Sequence, residues 1–156
     1  MKGNAPMHKD VVILVAEDDK GHAGLIRKNL ARAGVVNEVL HFRDGQEILD
    51  FLFRQGEGPH RLSGTAYVLL LDIRMPKVDG VQVLERVKGD RELRKLPVIM
   101  ITTTEDPREV ERCHALGCSS YITKPIHYDN FVNAVRQLGL FLAVVQVPKI
   151  NGEGFE

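Results

Sequence analysis

Apolar and polar positions along the chain alternate between two rhythms. Nearly continuous apolar runs at Val11–Ala16, Val68–Leu71 and Val98–Ile101 read as parallel strands covered on both faces. Val35–Phe42 is a more broken run, and Ser120–Thr123 takes its strand assignment from its place in the alternation. Between the runs the period changes to three and four. Ala23, Ile26, Leu30 and Ala33 make one helical face, and Val83, Leu84 and Val87 a second. Val110, Cys113 and Leu116 make a third, and Phe131, Val135, Leu138 and Leu142 a fourth.

Polar residues punctuate these helices. Asp44, Asp79 and Asp106, the last followed by Pro107, mark helix starts. Gly34 and Gly117 sit where helices should stop. The alternation predicts a doubly wound α/β fold, a five-stranded open parallel sheet with helices on both faces. Gln55–Ala66 holds three glycines and a proline and reads as a long surface loop. Leu140–Ile150 is apolar, then β-branched, then broken by Pro148, and Asn151–Glu156 reads as a frayed tail.

Composition narrows the class. The 156 residues suit one domain, expected over residues 9–142 with 143–156 as a C-terminal extension. Twenty-one basic residues balance twenty-one acidic ones, which lowers the case for a nucleic-acid binder. No apolar run approaches a membrane span and the N-terminus lacks the core of a secretory signal, so a cytoplasmic protein is expected. Cys113 and Cys118 lack metal-ligand spacing and read as ordinary thiols.

Chemistry gathers at the strand ends. The first strand runs into Glu17-Asp18-Asp19, the third into Asp72, the fourth into Thr102-Thr103-Thr104 and the fifth into Lys124-Pro125. In open parallel sheets, ligands bind outside the carboxyl ends of the strands where strand order reverses. Clustered carboxylates repel one another and call for a cation; Mg2+ suits a few carboxylates and a phosphate oxygen. A lysine can hold further negative charge, a threonine hydroxyl can bond a phosphoryl oxygen, and a carboxylate nucleophile makes an acyl phosphate.

Singly, each piece has an ordinary explanation. Glu17-Asp18-Asp19 reads as a helix cap, Asp72 as the start of a turn, Thr102–Thr104 as a β-branched strand end, and Lys124-Pro125 as a turn. Their ordered recurrence at strand ends is what makes a site of them.

Taken together, these residues resemble the receiver domains of two-component signalling, from about Asp10 to Gly139. The carriers are Ile13-Leu14-Val15-Ala16-Glu17-Asp18-Asp19, then Val68-Leu69-Leu70-Leu71-Asp72 with Met75-Pro76 and Asp79-Gly80. Ile99-Met100-Ile101-Thr102 and Tyr121-Ile122-Thr123-Lys124-Pro125 complete them. The resemblance implies a flavodoxin-like receiver fold and a phosphoacceptor at Asp72. It implies Mg2+ held by Glu17, Asp18 and Asp72, with the backbone carbonyl of Arg74 as a further ligand. Thr102 would move toward the phosphoryl group, Tyr121 would turn inward behind it, and Lys124 would pair with a phosphoryl oxygen, oriented by a cis bond to Pro125. The donor would be a phosphohistidine on a sensor histidine kinase. No histidine of this chain needs a catalytic role, and His22 and His127 are expected at solvent.

A narrower likeness is to stand-alone regulators that partner bacterial phytochromes. Its carriers are Gly56-Glu57-Gly58-Pro59, the segment from Gly89 to Pro97, and the ending from Leu140 to Pro148. It implies a bacteriophytochrome as the kinase and a homodimer through the last helix and tail. Phe141, Leu142, Val144, Val145 and Val147 offer apolar area for that dimer or for folding back on their own domain. Two departures stand out: Arg74 is a bulky cation where many receivers carry a smaller polar residue, and Glu17 replaces the commoner first aspartate. Arg74 leaves the phosphorylated lifetime open.

Only eight residues follow Pro148, too few for a helix-turn-helix reader, so no nucleic-acid partner is expected, and the lack of a long apolar run argues against a membrane partner. Output would pass through protein contacts on the fourth helix, fifth strand and fifth helix, or onward to a histidine phosphotransfer protein. Three rivals are weaker. A phosphohydrolase would want an acid at position 74, a pseudo-receiver would lack site residues, and a nucleotide-binding domain would want a Gly-rich loop after the first strand.

Overall fold

The computed structural model describes residues 11–32, 34–103, 106–123 and 148–152. Strand β1 (Val11–Ala16) leads into helix α1 (Lys20–Arg32), and β2 (Val39–Phe42) into α2 (Gly45–Phe53). Strand β3 (Thr65–Leu71) is followed by α3 (Gly80–Lys88) and a short 3-10 turn (Leu93–Lys95). Then come β4 (Val98–Thr102), α4 (Pro107–Leu116), β5 (Ser120–Thr123) and a two-residue β6 (Lys149–Ile150). The expected helix over Phe131–Leu142 lies outside the described residues.

The main sheet has the order β2-β1-β3-β4-β5, with every pair in that path parallel. Strand order reverses between β1 and β3, which therefore frame the ligand crevice of such a sheet. The alternation of side chains splits the interior into two cores. Ile13, Val15, Val68, Leu70, Ile99 and Ile101 pack with Ile26 and Leu30 of α1 on one face. Leu14, Ala16, Leu69, Leu71 and Met100 pack on the other with Ile48 and Leu49 of α2, Val83 and Leu84 of α3, and Cys113 of α4. Each fully buried Leu or Ile contributes about 1.5–3 kcal/mol over its exposed state. Helix α4 is lightly held, since Cys113 is its one fully buried residue.

Local signals act as expected at the helix ends. The Asp44 carboxylate accepts from the Glu47 amide, Asp79 and Gln82 form a reciprocal capping box, and Asp106 caps α4 with Pro107 in its first turn. Gly117 stops α4 at φ 108°, where its own amide and that of Cys118 return to the Cys113 carbonyl; a Cβ would strain that left-handed residue.

Three expectations change. Strand β2 begins at Val39 and not Val35: the Asn37 side chain donates to the Val11 carbonyl, and Val36 is 76% exposed. Strand β3 begins at Thr65, so the loop after α2 ends before Ala66, and its Arg61 is buried, donating to the carbonyls of Leu52 and Asn151. The tail is not frayed through Gly152. Lys149 and Ile150 pair antiparallel with Ala66 and Thr65, on the stretch of β3 upstream of its pairing with β4. Ile150 is fully buried, and Arg54, Ser63 and Glu92 bond the backbone of Asn151 or Gly152. Cys113 and Cys118 are buried free thiols. Among the described residues no helix is long and apolar enough to cross a membrane.

Candidate functional site

The sheet ladder runs past the ends of its two central strands. The Asp72 amide donates to the Ala16 carbonyl, and the Glu17 amide to the Phe42 carbonyl. Both acids thus leave the sheet on a fixed backbone at the switch point, and both are buried, Glu17 1% and Asp72 7% exposed. Asp18 is exposed beside them, and carboxylate oxygens of Glu17, Asp18 and Asp72 all lie within 4.8 Å of one another. Two buried carboxylates and a third so close are costly unless a cation neutralises them. Hard oxygen donors in that number fit a divalent ion that keeps some waters.

Asp19 parts company with its neighbours. Its side chain accepts from the His22 amide and its carbonyl from the Ala23 amide, so it caps α1. The cap reading is right for one acid of the run, while the other two face Asp72. Glu17 is held by Asp19, whose amide donates to Oε2 at 3.1 Å.

Thr102 is the last residue of β4, fully buried and paired with Thr123 of β5. Tyr121 pairs with Met100 and is half-buried, its ring centroid 6.3 Å from that of His114 on α4. Burial pushes its phenol well above the usual tyrosine range, with the Arg74 charge opposing. Lys124, expected at the site, lies outside the described residues, as does His127. His22 is less exposed than expected, its side chain 45% accessible and its Nδ1 3.9 Å from Glu17 Oε2.

The β3–α3 loop closes the site on one side. Asp18, Ile73, Arg74, Met75, Pro76, Asp79 and Glu109 line an open cleft of about 380 Å³. The Gly80 amide donates to the Ile73 carbonyl at 2.7 Å, and a Cβ on Gly80 would stand 2.1 Å from the Asp72 carbonyl oxygen. Only glycine lets α3 start so close to the strand end. Arg74 itself is exposed on the cleft.

Sequence reasoning passed over His41. Its Nε2 donates to the Glu17 carbonyl at 2.6 Å, across the pairing of β1 with β2. A histidine late in a broken apolar run was the available signal, and strand register was needed to read it.

Comparison with known proteins agrees with this geometry. The family model of the response regulator receiver domain matches residues 13–136. The chain belongs to that family. A response regulator receiver domain from Rhodospirillum rubrum is 48% identical with a TM-score of 0.81, covering 90% of this chain and 99% of that one. Response regulator Rcp1 of Synechocystis sp. is 31% identical over 138 residues, 88% of this chain and 92% of Rcp1. Its Mn2+-bound structure aligns over 88% of this chain and 98% of its own at 30% identity, with a TM-score of 0.77. The phosphorylated cyanobacterial phytochrome response regulator RcpA is 29% identical with a TM-score of 0.75, over 88% of this chain and 96% of that one. The chain is thus a receiver domain of two-component signalling, with relatives among the regulators of phytochromes.

Proposed function

We propose that this chain is a phosphoacceptor switch that takes a phosphoryl group on Asp72 from a phosphohistidine of a sensor histidine kinase. The observation that carries the reading is the meeting of Glu17, Asp18 and Asp72 at the β1/β3 switch point, with Thr102 buried at the end of β4, the strand next to β3. An Asp72 carboxylate oxygen attacks phosphorus in line; the P–N bond to the kinase imidazole breaks and the ring nitrogen takes up a proton. Glu17, Asp18 and Asp72 would hold Mg2+ with the Arg74 backbone carbonyl. The ion would neutralise the carboxylates and draw charge from the phosphoryl oxygens. Lys124 would pair with one of those oxygens and Thr102 would donate its hydroxyl to another. The protein is not a turnover enzyme, and catalyses only its own phosphorylation and dephosphorylation.

Output follows from movement behind the site. Thr102 drawn toward the phosphoryl group vacates space into which half-buried Tyr121 turns, and α4, with so few buried contacts, shifts at low cost. The kinship with RcpA and Rcp1 supports a phytochrome-type kinase, a bacteriophytochrome, as partner. The phosphorylated protein would act in the cytoplasm through protein contacts or onward transfer to a histidine phosphotransfer protein, as a homodimer joined through the last helix and tail.

Intact mass after incubation with Mg2+ and acetyl phosphate tests the chemistry. A gain of one phosphoryl group is expected, absent in Asp72→Asn and without the ion. No gain, together with no response to beryllium fluoride, would overturn the reading. Sedimentation of both forms checks the dimer, which a concentration-independent monomer in each would exclude.

A further inference from the structure

The loop between Asp72 and α3 contains a strained turn. The Val78 amide donates to the Pro76 carbonyl at 2.8 Å, and Lys77 between them has φ 70°. An i to i+2 bond around a residue of positive φ is the rare, costly form of γ-turn, and lysine has no glycine-like freedom to adopt it. Such strain persists only where the surroundings over-determine it.

The surroundings come from a different part of the chain. Asp44, at the start of α2, is 9% exposed. Its Oδ1 accepts from the Glu47 amide at 2.8 Å as a helix cap, while its Oδ2 lies 3.5 Å from the Lys77 ammonium. Next to it Gly45 packs bare backbone on the turn: a Cβ there would fall 1.8 Å from the Val78 carbonyl oxygen. At its other end the loop is tied by the Gly80 amide to the Ile73 carbonyl. The segment carrying Arg74 is therefore closed between Ile73 and Gly80 and packed at residues 77–78 against the start of α2.

We infer that Asp44 and Lys77 are positioning residues for the cation and phosphoryl site, acting through this turn. The inference rests on the reading of Asp72 as a metal-dependent phosphoacceptor. Asp44 caps α2 with one oxygen and pins the γ-turn with the other. The pinned turn fixes the backbone of residues 73–78, from which the Arg74 carbonyl is offered to the ion. Releasing Lys77 lets the loop relax to an unstrained turn and carries that carbonyl away.

The test uses the full chain with Mn2+ as probe. Asp44→Asn keeps an oxygen able to cap α2 but loses the charge, and Lys77→Met loses the ammonium while keeping the stem. Each should weaken Mn2+ binding by calorimetry about three- to fivefold, the scale of a partly exposed ion pair. The double variant should be no weaker than either single one. Lys77→Arg should retain wild-type affinity, Arg43→Gln, beside Asp44 between β2 and α2, should be neutral, and amide exchange at Val78 should quicken in the two weakened proteins. Wild-type Mn2+ affinity and Val78 exchange in both single variants would overturn the inference, as would additive losses in the double. If wild type itself neither binds Mn2+ nor accepts phosphate, the reading of the site fails, not the clamp.

Discussion

His41 on β2 holds the backbone of Glu17: its Nε2 donates to the Glu17 carbonyl at 2.6 Å, and a carbonyl only accepts, so that nitrogen carries the proton. The contact ties an outer strand to the first acid of the candidate metal site. His41→Leu should cost about 1 kcal/mol of stability, the net worth of one such bond. It should also weaken Mn2+ binding by loosening Glu17. Thermal unfolding and Mn2+ titration check the two effects, and unchanged affinity would limit His41 to stability.

Gly80 tolerates no side chain, because its Cβ would meet the Asp72 carbonyl oxygen at 2.1 Å and the Ile73 Cα at 2.7 Å. Both are backbone atoms that cannot swing aside. Gly80→Ala should lose about 3 kcal/mol, at the upper end of overpacking, with phosphorylation impaired beyond what unfolding explains. Urea unfolding beside acetyl phosphate labelling checks this.

Ile150 is fully buried although it lies near the end of the chain, and it pairs with Thr65. Ile150→Ala should cost about 2–4 kcal/mol, as for a core residue. Amide exchange should rise at Thr65 and Ala66. A loss below about half a kcal/mol, normal for exposed sites, would mean that the tail contributes little.

Burial pushes the Cys113 thiol up to about 11 from 9.0, with Cys118 and Glu109 adding to the shift. The folded state keeps this proton where the unfolded chain releases it. The associated stability is therefore complete below pH 9.0 and is lost as pH rises toward about 11. Urea unfolding across that window should show a decline that is shallower in Cys113→Ala. Equal slopes in the two proteins would refute the coupling.

The alternation of apolar runs with helical periods was enough to predict the doubly wound sheet, because strands buried on both faces need continuous apolar residues and amphipathic helices need a period near 3.6. The same pattern pointed to Glu17, Asp18, Asp72 and Thr102, since each stands at a strand's carboxyl end and parallel strands bring those ends to one edge. Local chemistry was equally legible at Asp44, Asp79 and Asp106, whose caps depend on residues two or three positions away. What the sequence alone determined was thus periodicity, capping and strand-end chemistry.

Tertiary structure decided the rest, for reasons of long-range contact. Asp19 parts from Glu17 and Asp18 because its carboxylate meets the His22 amide once α1 begins. His41 reaches Glu17 through strand register, and Ile150 joins Thr65 across 85 positions of chain. Asp44 meets Lys77 because α2 packs beside the loop after β3. Val35 and Val36 look like strand residues by type, yet the chain enters β2 only at Val39, after the Asn37 side chain has bonded to Val11. Such pairings are made by the folded arrangement of elements, and no local pattern in the chain encodes which distant partner a given side chain will find.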